Sequence, residues 1–346
     1  MAHILIAGGT GFVGLTTARA FADKGDTVVI TSRKRHDPAG EALAAENDRI
    51  SVEYVNIEST PDVFALFTRH KFDGLVILSQ AHQYARTRAQ NNAIYPMTLN
   101  LLEGARATDV KRVVLASSMA VYSGIKPPLN EDVAFPPKVG GAGPVAVPAF
   151  ETTAKRAVEM IAFDYSIPMP PPTSGLSAVQ ENALEVVALR FPIQWGPGYT
   201  AMGNPFSLVC HTAAGRIDSL AGRTGYLGLP VPAFWNILSG SPITFVKDSA
   251  SAITTTMAAD TLPRHVYNVS SCFEDTSRNQ LEALYRVAPD ARDKIGIDPD
   301  ELEGEARPPV GFTSDLLKQD FGWKPVHDTI EPAYEEYIAW LKDNPY

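Results

Sequence analysis

Cysteine is almost missing from this chain: Cys210 and Cys272 are its two thiols in 346 residues, too few for a disulfide framework. No grouping of cysteine and histidine has metal-ligand spacing, so no metal site is expected. No apolar run approaches the ~20 residues that span a bilayer, and the opening His3-Ile4-Leu5-Ile6-Ala7 is too short for a secretory signal. Excess positive charge is lacking as well. Acidic residues outnumber basic ones 39 to 30, and a net charge of −9 works against binding a nucleic-acid backbone. What these absences leave is a reduced, cytoplasmic globular protein with neither membrane nor nucleic acid as a partner. Hydrophobic residues at 45% and charged residues at 20% suit a packed core. The length fits two compact units or one large one.

What is present first is alternation. Ile4 to Ala7, Thr27 to Thr31, Ser51 to Val55, Gly74 to Leu78 and Arg112 to Ala116 read as buried strands. Helical patterns at Val13 to Lys24, Pro61 to His70 and Tyr95 to Thr108 lie between them. Strands separated by helices predict right-handed βαβ crossovers and a doubly wound parallel α/β sheet. Val186 to Phe191 and His265 to Val269 extend the same sheet. Ala134 to Pro148 and Ser166 to Ser177, rich in proline and glycine, read as long loops. Gly196 to Pro242 is less regular, and Asp298 to Glu305 is acidic and solvated.

The strongest local signal is Gly8-Gly9-Thr10-Gly11-Phe12-Val13-Gly14, placed directly after the first strand and opening the first helix. Glycines there allow a tight turn, close backbone approach to a pyrophosphate, and tight packing of helix on strand. The helix start then offers free N–H groups to phosphate. Dinucleotide binding follows from this context. An NAD site usually has an acid about 20 residues further on to hold the ribose diol. Thr31-Ser32-Arg33-Lys34-Arg35 has none, and Ser32 with Arg33 suits a 2′-phosphate. NADP(H) is therefore expected over NAD(H). A solvated basic turn is the plainer alternative.

At this point the chain resembles the extended short-chain dehydrogenase/reductase family, the NAD(P)-dependent epimerase/dehydratase group. Besides the glycine loop, Asn56-Ile57 sits where that family has Asp-Ile beside the adenine. Val113 to Tyr122 is similar to the fifth-strand motif ending in Ser-Ser-x-x-Val-Tyr-Gly. Arg190 to Gly198 looks like its Arg-x-x-x-x-Tyr-Gly-Pro-Gly segment. Phe321-Gly322-Trp323-Lys324-Pro325 and Tyr337-Ile338-Ala339-Trp340 match its C-terminal signature. The resemblance implies a Rossmann-type fold with cofactor binding over 1–192, to which 243–270 returns. A smaller, partly helical substrate side over 193–242 and 271–346 completes it. Leu78, Ser79, Gln80 and Phe191 join the expected cofactor residues, and a homodimer is implied.

By the same resemblance Ser118 holds the substrate oxygen. Lys155 is the lysine of Tyr-x-x-x-Lys, which binds the nicotinamide ribose and lowers the pKa of the phenol. Glu159 fits the pattern four residues on. The tyrosine itself is missing, because Glu151 stands in its place. Three readings follow: an ordinary Glu151–Lys155 pair at i and i+4, Glu151 as an acid or base through a water, or another group such as Tyr122, Tyr84 or His82. Pro192-Ile193 and Ser241-Pro242 replace residues that anchor nucleotide sugars in the family, pointing to a smaller or more apolar substrate. Phe150, Trp195, Tyr199, Phe206, Phe234 and Trp235 are candidates for lining its pocket, or else core. Arg86 and Arg88 are candidates for an anion contact, or else a solvated helix start. The expected function is an NADP(H)-dependent oxidoreductase acting on a carbonyl or secondary alcohol. The alternatives are an epimerase, isomerase or lyase without net cofactor turnover, and a catalytically silent dinucleotide-binding regulator.

Overall fold

The computed structural model describes residues 1–80, 87–135, 149–167, 183–224, 230–237, 241–271, 273, 276–302 and 310–344. The first half alternates as its apolar runs predict: β1 (His3–Ala7), α1 (Phe12–Asp23), β2 (Thr27–Ser32), α2 (Pro38–Glu46), β3 (Ile50–Tyr54), α3 (Thr60–Arg69), β4 (Gly74–Ile77), α4 (Arg88–Asn92), α5 (Ile94–Ala107) and β5 (Arg112–Ser118). The second half continues with α6 (Ala149–Asp164), β6 (Glu185–Phe191), β7 (Ile193–Trp195), α7 (Pro205–Ala213), α8 (Val231–Ile237), β8 (Ile243–Phe245), α9 (Val246–Ala258) and β9 (Val266–Asn268). Four further helices close the chain: α10 (Ser277–Val287), α11 (Arg292–Ile295), α12 (Asp315–Phe321) and α13 (Ile330–Asp343).

Seven parallel strands run in the order β3-β2-β1-β4-β5-β6-β9. The winding reverses between β1 and β4, and in such sheets the crevice beyond the carboxyl ends at that point receives ligands. Both faces are covered. Leu5, Leu75, Val113 and Val186 pack with Phe67, Leu101 and Val158 on one side. Ile4, Val76, Val114 and Val187 pack with Phe21, Ala252 and Ile253 on the other. Strands buried on both faces read as continuous apolar runs, which is why they were visible in the sequence.

The sequence pattern did not reveal α9, because Val-Lys-Asp-Ser-Ala-Ser-Ala-Ile-Thr-Thr-Thr has a low helical propensity. Tertiary contacts override that preference. Ala250, Ala252 and Ile253 are buried in the core beside α1. Arg112, buried on β5, donates from Nη1 to the Thr256 and Met257 carbonyls at 3.1 Å each and to that of Ala259. It thereby satisfies carbonyls that the helix end leaves unpaired. The same guanidinium holds Glu185 at 2.9 and 2.6 Å. The returning segment 243–270 is divided: β8 pairs with β7 outside the main sheet, whereas β9 joins it.

A separate core forms around Trp195, which is wholly buried against Phe206, Phe245, Tyr334 and Tyr337. Trp235 packs on Phe206 and donates its indole N–H to the Ser277 carbonyl at 2.9 Å. Trp195, Phe206 and Trp235 are therefore core, not pocket wall, since burial on all sides leaves them no face for a substrate. The side chain of Phe234 lies outside the described residues. We expect Trp195→Ala to cost about 3–5 kcal/mol, as removal of a large buried aromatic does. Urea denaturation would measure it, and a loss below about 1 kcal/mol would contradict this placement.

Candidate functional site

The glycine loop is shaped by what it touches. Gly8 has φ +82°, and a Cβ there would come within 2.8 Å of the Ser79 backbone nitrogen beyond β4. A Cβ at Gly14 would lie 2.6 Å from the backbone of Gly8 and Gly9, so α1 abuts the loop closely. Among these glycines Gly11 is the least crowded; its nearest neighbour would be the Gly8 oxygen at 3.3 Å. Gly11 caps α1 with no side-chain bond, and the first turn of α1 carries no acid. Its N–H groups and positive dipole end are thus left for an anion. The Ser79 hydroxyl is buried beside Gly8 and has no hydrogen-bond partner among the described residues. An orphaned donor, an uncapped helix start and a close glycine turn at the reversal point together fit the pyrophosphate of a dinucleotide. Thr10, Phe12 and Val13 complete this loop, with Thr10 against Gly40 of α2 and Phe12 edge-on to Tyr199 at 5.0 Å. Gln80 follows Ser79 and is exposed.

The end of β2 differs from its sequence reading. Ser32 is buried and donates its hydroxyl to Asp37 Oδ2 at 2.8 Å, while accepting from the Lys34 N–H at 3.2 Å. Asp37 caps α2 by accepting from the Gly40 N–H at 3.3 Å. An acid does stand beside the end of β2, folded back from five residues downstream. It occupies the Ser32 hydroxyl that had been assigned to a 2′-phosphate. Arg33 is more than half exposed and lies 3.7 Å from Glu58. Asn56 is exposed next to it, with Oδ1 accepting from the Glu58 N–H at 3.2 Å. The Ile57 side chain is buried in the core, as is that of Phe191, so a cofactor contact from either would have to come from the backbone.

Ser118 ends β5 and caps the 3₁₀ turn Met119–Tyr122, accepting from the Ala120 N–H at 3.1 Å. Among the described residues its hydroxyl donates no hydrogen bond. On α6, Glu151, Lys155 and Glu159 follow at four-residue spacing and share one helix face. Lys155 is buried, and its Nζ lies 3.5 Å from the Ala116 carbonyl. Burial holds its pKa below the usual lysine value, against the pull of Glu151 and Glu159. Glu151 is half-buried, and among the described residues its carboxyl makes neither a hydrogen bond nor an ion pair. Burial raises its pKa, with Lys155 opposing. The ordinary i,i+4 ion pair is therefore not formed.

Glu159 is engaged elsewhere. Arg190 of β6 grips it with Nε at 3.0 Å and Nη2 at 2.8 Å, and Ser117 donates to it at 2.5 Å. The neighbouring Tyr122 is fully buried; its hydroxyl accepts from Arg190 at 2.7 Å and faces Asn268 Oδ1 and the Asn130 carbonyl. Burial pushes that phenol up to about 12. Tyr122 is therefore a buried tie between elements, and the reading of it as an alternative proton donor does not fit. His82, Tyr84 and Arg86 lie outside the described residues. Arg88 opens α4 exposed, and Phe150 is half-buried. Sequence reasoning missed the roles of Ser117 and Asn268, whose partners are distant in the chain, and of Asp37, which reaches Ser32 because the segment between them folds back. Among the described residues no three acids, histidines or cysteines could hold a metal, and no helix is long and apolar enough to cross a membrane.

Residues 4–142 match the family described as "NAD dependent epimerase/dehydratase family". The fold is similar over 99% of both chains to UDP-glucose 4-epimerase from Bifidobacterium longum in complex with NAD+ and UDP, at 17% identity and TM-score 0.70. It is similar to the UDP-Glc/GlcNAc 4-epimerase of Campylobacter jejuni over 99% of this chain and 100% of that one, at 19% identity and TM-score 0.70. A dTDP-glucose 4,6-dehydratase from Bacillus anthracis in complex with NAD is also similar, covering 99% and 97% at 17% identity and TM-score 0.66. No curated protein matches the chain.

The raised pKa of Glu151 has a consequence for stability. Between the unfolded carboxyl value and the higher folded one, the folded state binds more protons, so stability falls as pH rises through that window. Glu151→Gln removes this loss. The variant is expected to melt above wild type at pH 8, with the gap closing below about pH 4, where the free carboxyl is protonated in both states. A gap of equal size at both pH values, seen by calorimetry, would contradict it.

Proposed function

We propose, on the match of residues 4–142 to the NAD dependent epimerase/dehydratase family, that the chain is an enzyme that moves hydride between a nicotinamide dinucleotide and a carbonyl or secondary alcohol carbon. Glu151 would stand in for the family's phenol. The observation that carries this reading is the Glu151 carboxyl, half-buried and without a hydrogen bond or ion pair among the described residues, one helical turn from buried Lys155. Bound nicotinamide supplies the hydride donor or acceptor. Ser118 donates its free hydroxyl proton to the substrate oxygen. Lys155 would hold the nicotinamide ribose. Glu151 gives a proton to the forming alcohol, or takes one from it, through one water that spans the gap left by a side chain shorter than tyrosine. Burial raises its pKa, the direction that favours the protonated form a proton donor needs.

Gly8, Gly9, Thr10, Gly11, Phe12, Val13 and Gly14 with Ser79 would receive the pyrophosphate, and Asn56 with Ile57 the adenine. NADP(H) preference rests on Arg33, with Lys34 and Arg35 beside it, because Ser32 is already bound to Asp37. Asp37 opposes that preference. The substrate is read as smaller than a nucleotide sugar. In support, Arg216 is spent on the Leu341 carbonyl, Arg278 and Arg286 on Asp300 and Glu331, and Arg292 on the Tyr285 ring. Each of these arginines has a partner within the protein. The second reading, hydride removed and returned to one substrate without net cofactor use, is supported by the family and by the 4-epimerases of similar fold. Net NADPH consumption separates the two. A cytoplasmic homodimer belongs to the same proposal.

Two substitutions test it. Glu151→Gln should cut turnover about 10²–10⁴-fold, the range of a lost general acid or base, with cofactor affinity little changed. Near-wild-type turnover would defeat the role of Glu151. Arg33→Ala should weaken NADP(H) by about tenfold to a hundredfold and leave NAD(H) nearly unchanged, as loss of one charge-assisted contact does. Equal losses for both cofactors in titration calorimetry would remove Arg33 from the 2′-phosphate.

A further inference from the structure

Lys155 stands four residues from an acid on either side, yet among the described residues neither Glu151 nor Glu159 forms an ion pair with it. For Glu159 the cause is visible. Both of its oxygens are taken by the Arg190 guanidinium, and Oε1 also receives the Ser117 hydroxyl. The carboxylate is 1% exposed, so water offers it no further partner. Arg190 is fixed from three sides in turn: by Glu159, by the Tyr122 hydroxyl, and by the ring faces of Tyr122 and Phe135 at 5.0 and 5.1 Å. Strand register sets the arrangement. Ser117 of β5 pairs with Arg190 of β6, which pairs with Asn268 of β9.

A glutamate one turn beyond a lysine is normally its partner. In a buried site that capture would be stronger, since a low dielectric magnifies attraction between opposite charges. We propose that Arg190 acts as a positioning residue by sequestering Glu159, which keeps the Lys155 amine from being captured there and leaves it directed toward the cofactor ribose and Glu151. Without Arg190, the freed carboxylate swings onto Lys155 and holds the ammonium away from the ribose. This inference rests on the reading of Lys155 as a cofactor-binding residue.

NADPH and NADH are the probes, with affinity read by nucleotide fluorescence from pH 6 to 10. Arg190→Met should weaken both nucleotides at least tenfold near neutrality. The pH at which binding fades should move upward by about one unit, because the captured ammonium is harder to deprotonate. Arg190→Met/Glu159→Gln removes the competitor and restores affinity to within about threefold of wild type. A merely structural Arg190 predicts the opposite, a double variant at least as weak as the single one, and that result would overturn the proposal. If Arg190→Met does not fold, Ser117→Ala still loosens Glu159; an upward shift of the pH midpoint supports the proposal and an unchanged midpoint refutes it. Lys155→Met is the control. Should it bind nucleotide like wild type, the cofactor role of Lys155 fails; should it bind weakly while Arg190→Met binds normally, the sequestration alone fails.

Discussion

The buried pairing of Arg190 with Glu159 ties together the parts of the molecule that must agree for a site to exist. One guanidinium joins α6, which carries Lys155 and Glu151, to the 3₁₀ turn that follows Ser118, through Tyr122. Tyr122 then reaches Asn268 on β9, whose amide Nδ2–H donates to the Leu129 carbonyl at 2.9 Å and whose backbone N–H donates to Glu131 at 2.8 Å. A buried ion pair must offset the cost of stripping water from two charges, and it does so only with good geometry and its remaining hydrogen bonds filled. Here both oxygens of Glu159 are bonded, and the guanidinium bonds the phenol besides. Losing either partner would leave a stranded buried charge, commonly worth about 3–5 kcal/mol. The carboxyl ends of β5, β6 and β9 are thereby held in one frame.

What the sequence made legible follows from the same physics. Runs such as Ile4-Leu5-Ile6 and Val113-Val114-Leu115 are buried on both faces, so their identity as parallel strands needed no partner to be seen. The glycine loop was legible because its constraint is local, a turn and a close helix start within seven residues. Asp37 was not. Its effect depends on the chain folding back over five residues so that its carboxylate meets Ser32, a return that no local pattern marks. Trp195 and Phe206 were ambiguous for another reason: an aromatic side chain suits a pocket wall and a core equally well until its neighbours are known. Only the packing of Tyr334 and Tyr337 from α13 decides the matter. Likewise α9 could not be read from propensity, since its helix depends on contacts with α1 and on Arg112.

The second core also reaches the glycine loop. Tyr337 of α13 donates its hydroxyl to the Tyr199 carbonyl at 2.5 Å, and the Tyr199 ring lies edge-on to Phe12 at the start of α1. Gly198 approaches Phe12 closely as well, where an added Cβ would sit 3.4 Å from its ring. The Trp195-to-Tyr199 segment is thus pinned at one end by the aromatic core and at the other by the element that opens the proposed pyrophosphate site.

A carboxyl at position 151, where a tyrosine would offer a phenol, sets more than the proton donor. A neutral phenol beside Lys155 would leave that buried ammonium with Glu159 as its one acidic neighbour on α6, whereas a carboxylate gives it a second. In this chain burial raises the pKa of the second acid, against the pull of Lys155, and the first is paired with Arg190. The row along α6 therefore alternates a protonatable acid, a partly desolvated amine and a compensated carboxylate. Each member limits the charge of the next. Such a row tolerates an acid at 151 only because Glu159 is already satisfied from β5 and β6. With two uncompensated carboxylates flanking one buried amine, the amine would be fixed between them and could not serve a third partner. Glu151 and the buried pair behind it are two sides of one electrostatic balance.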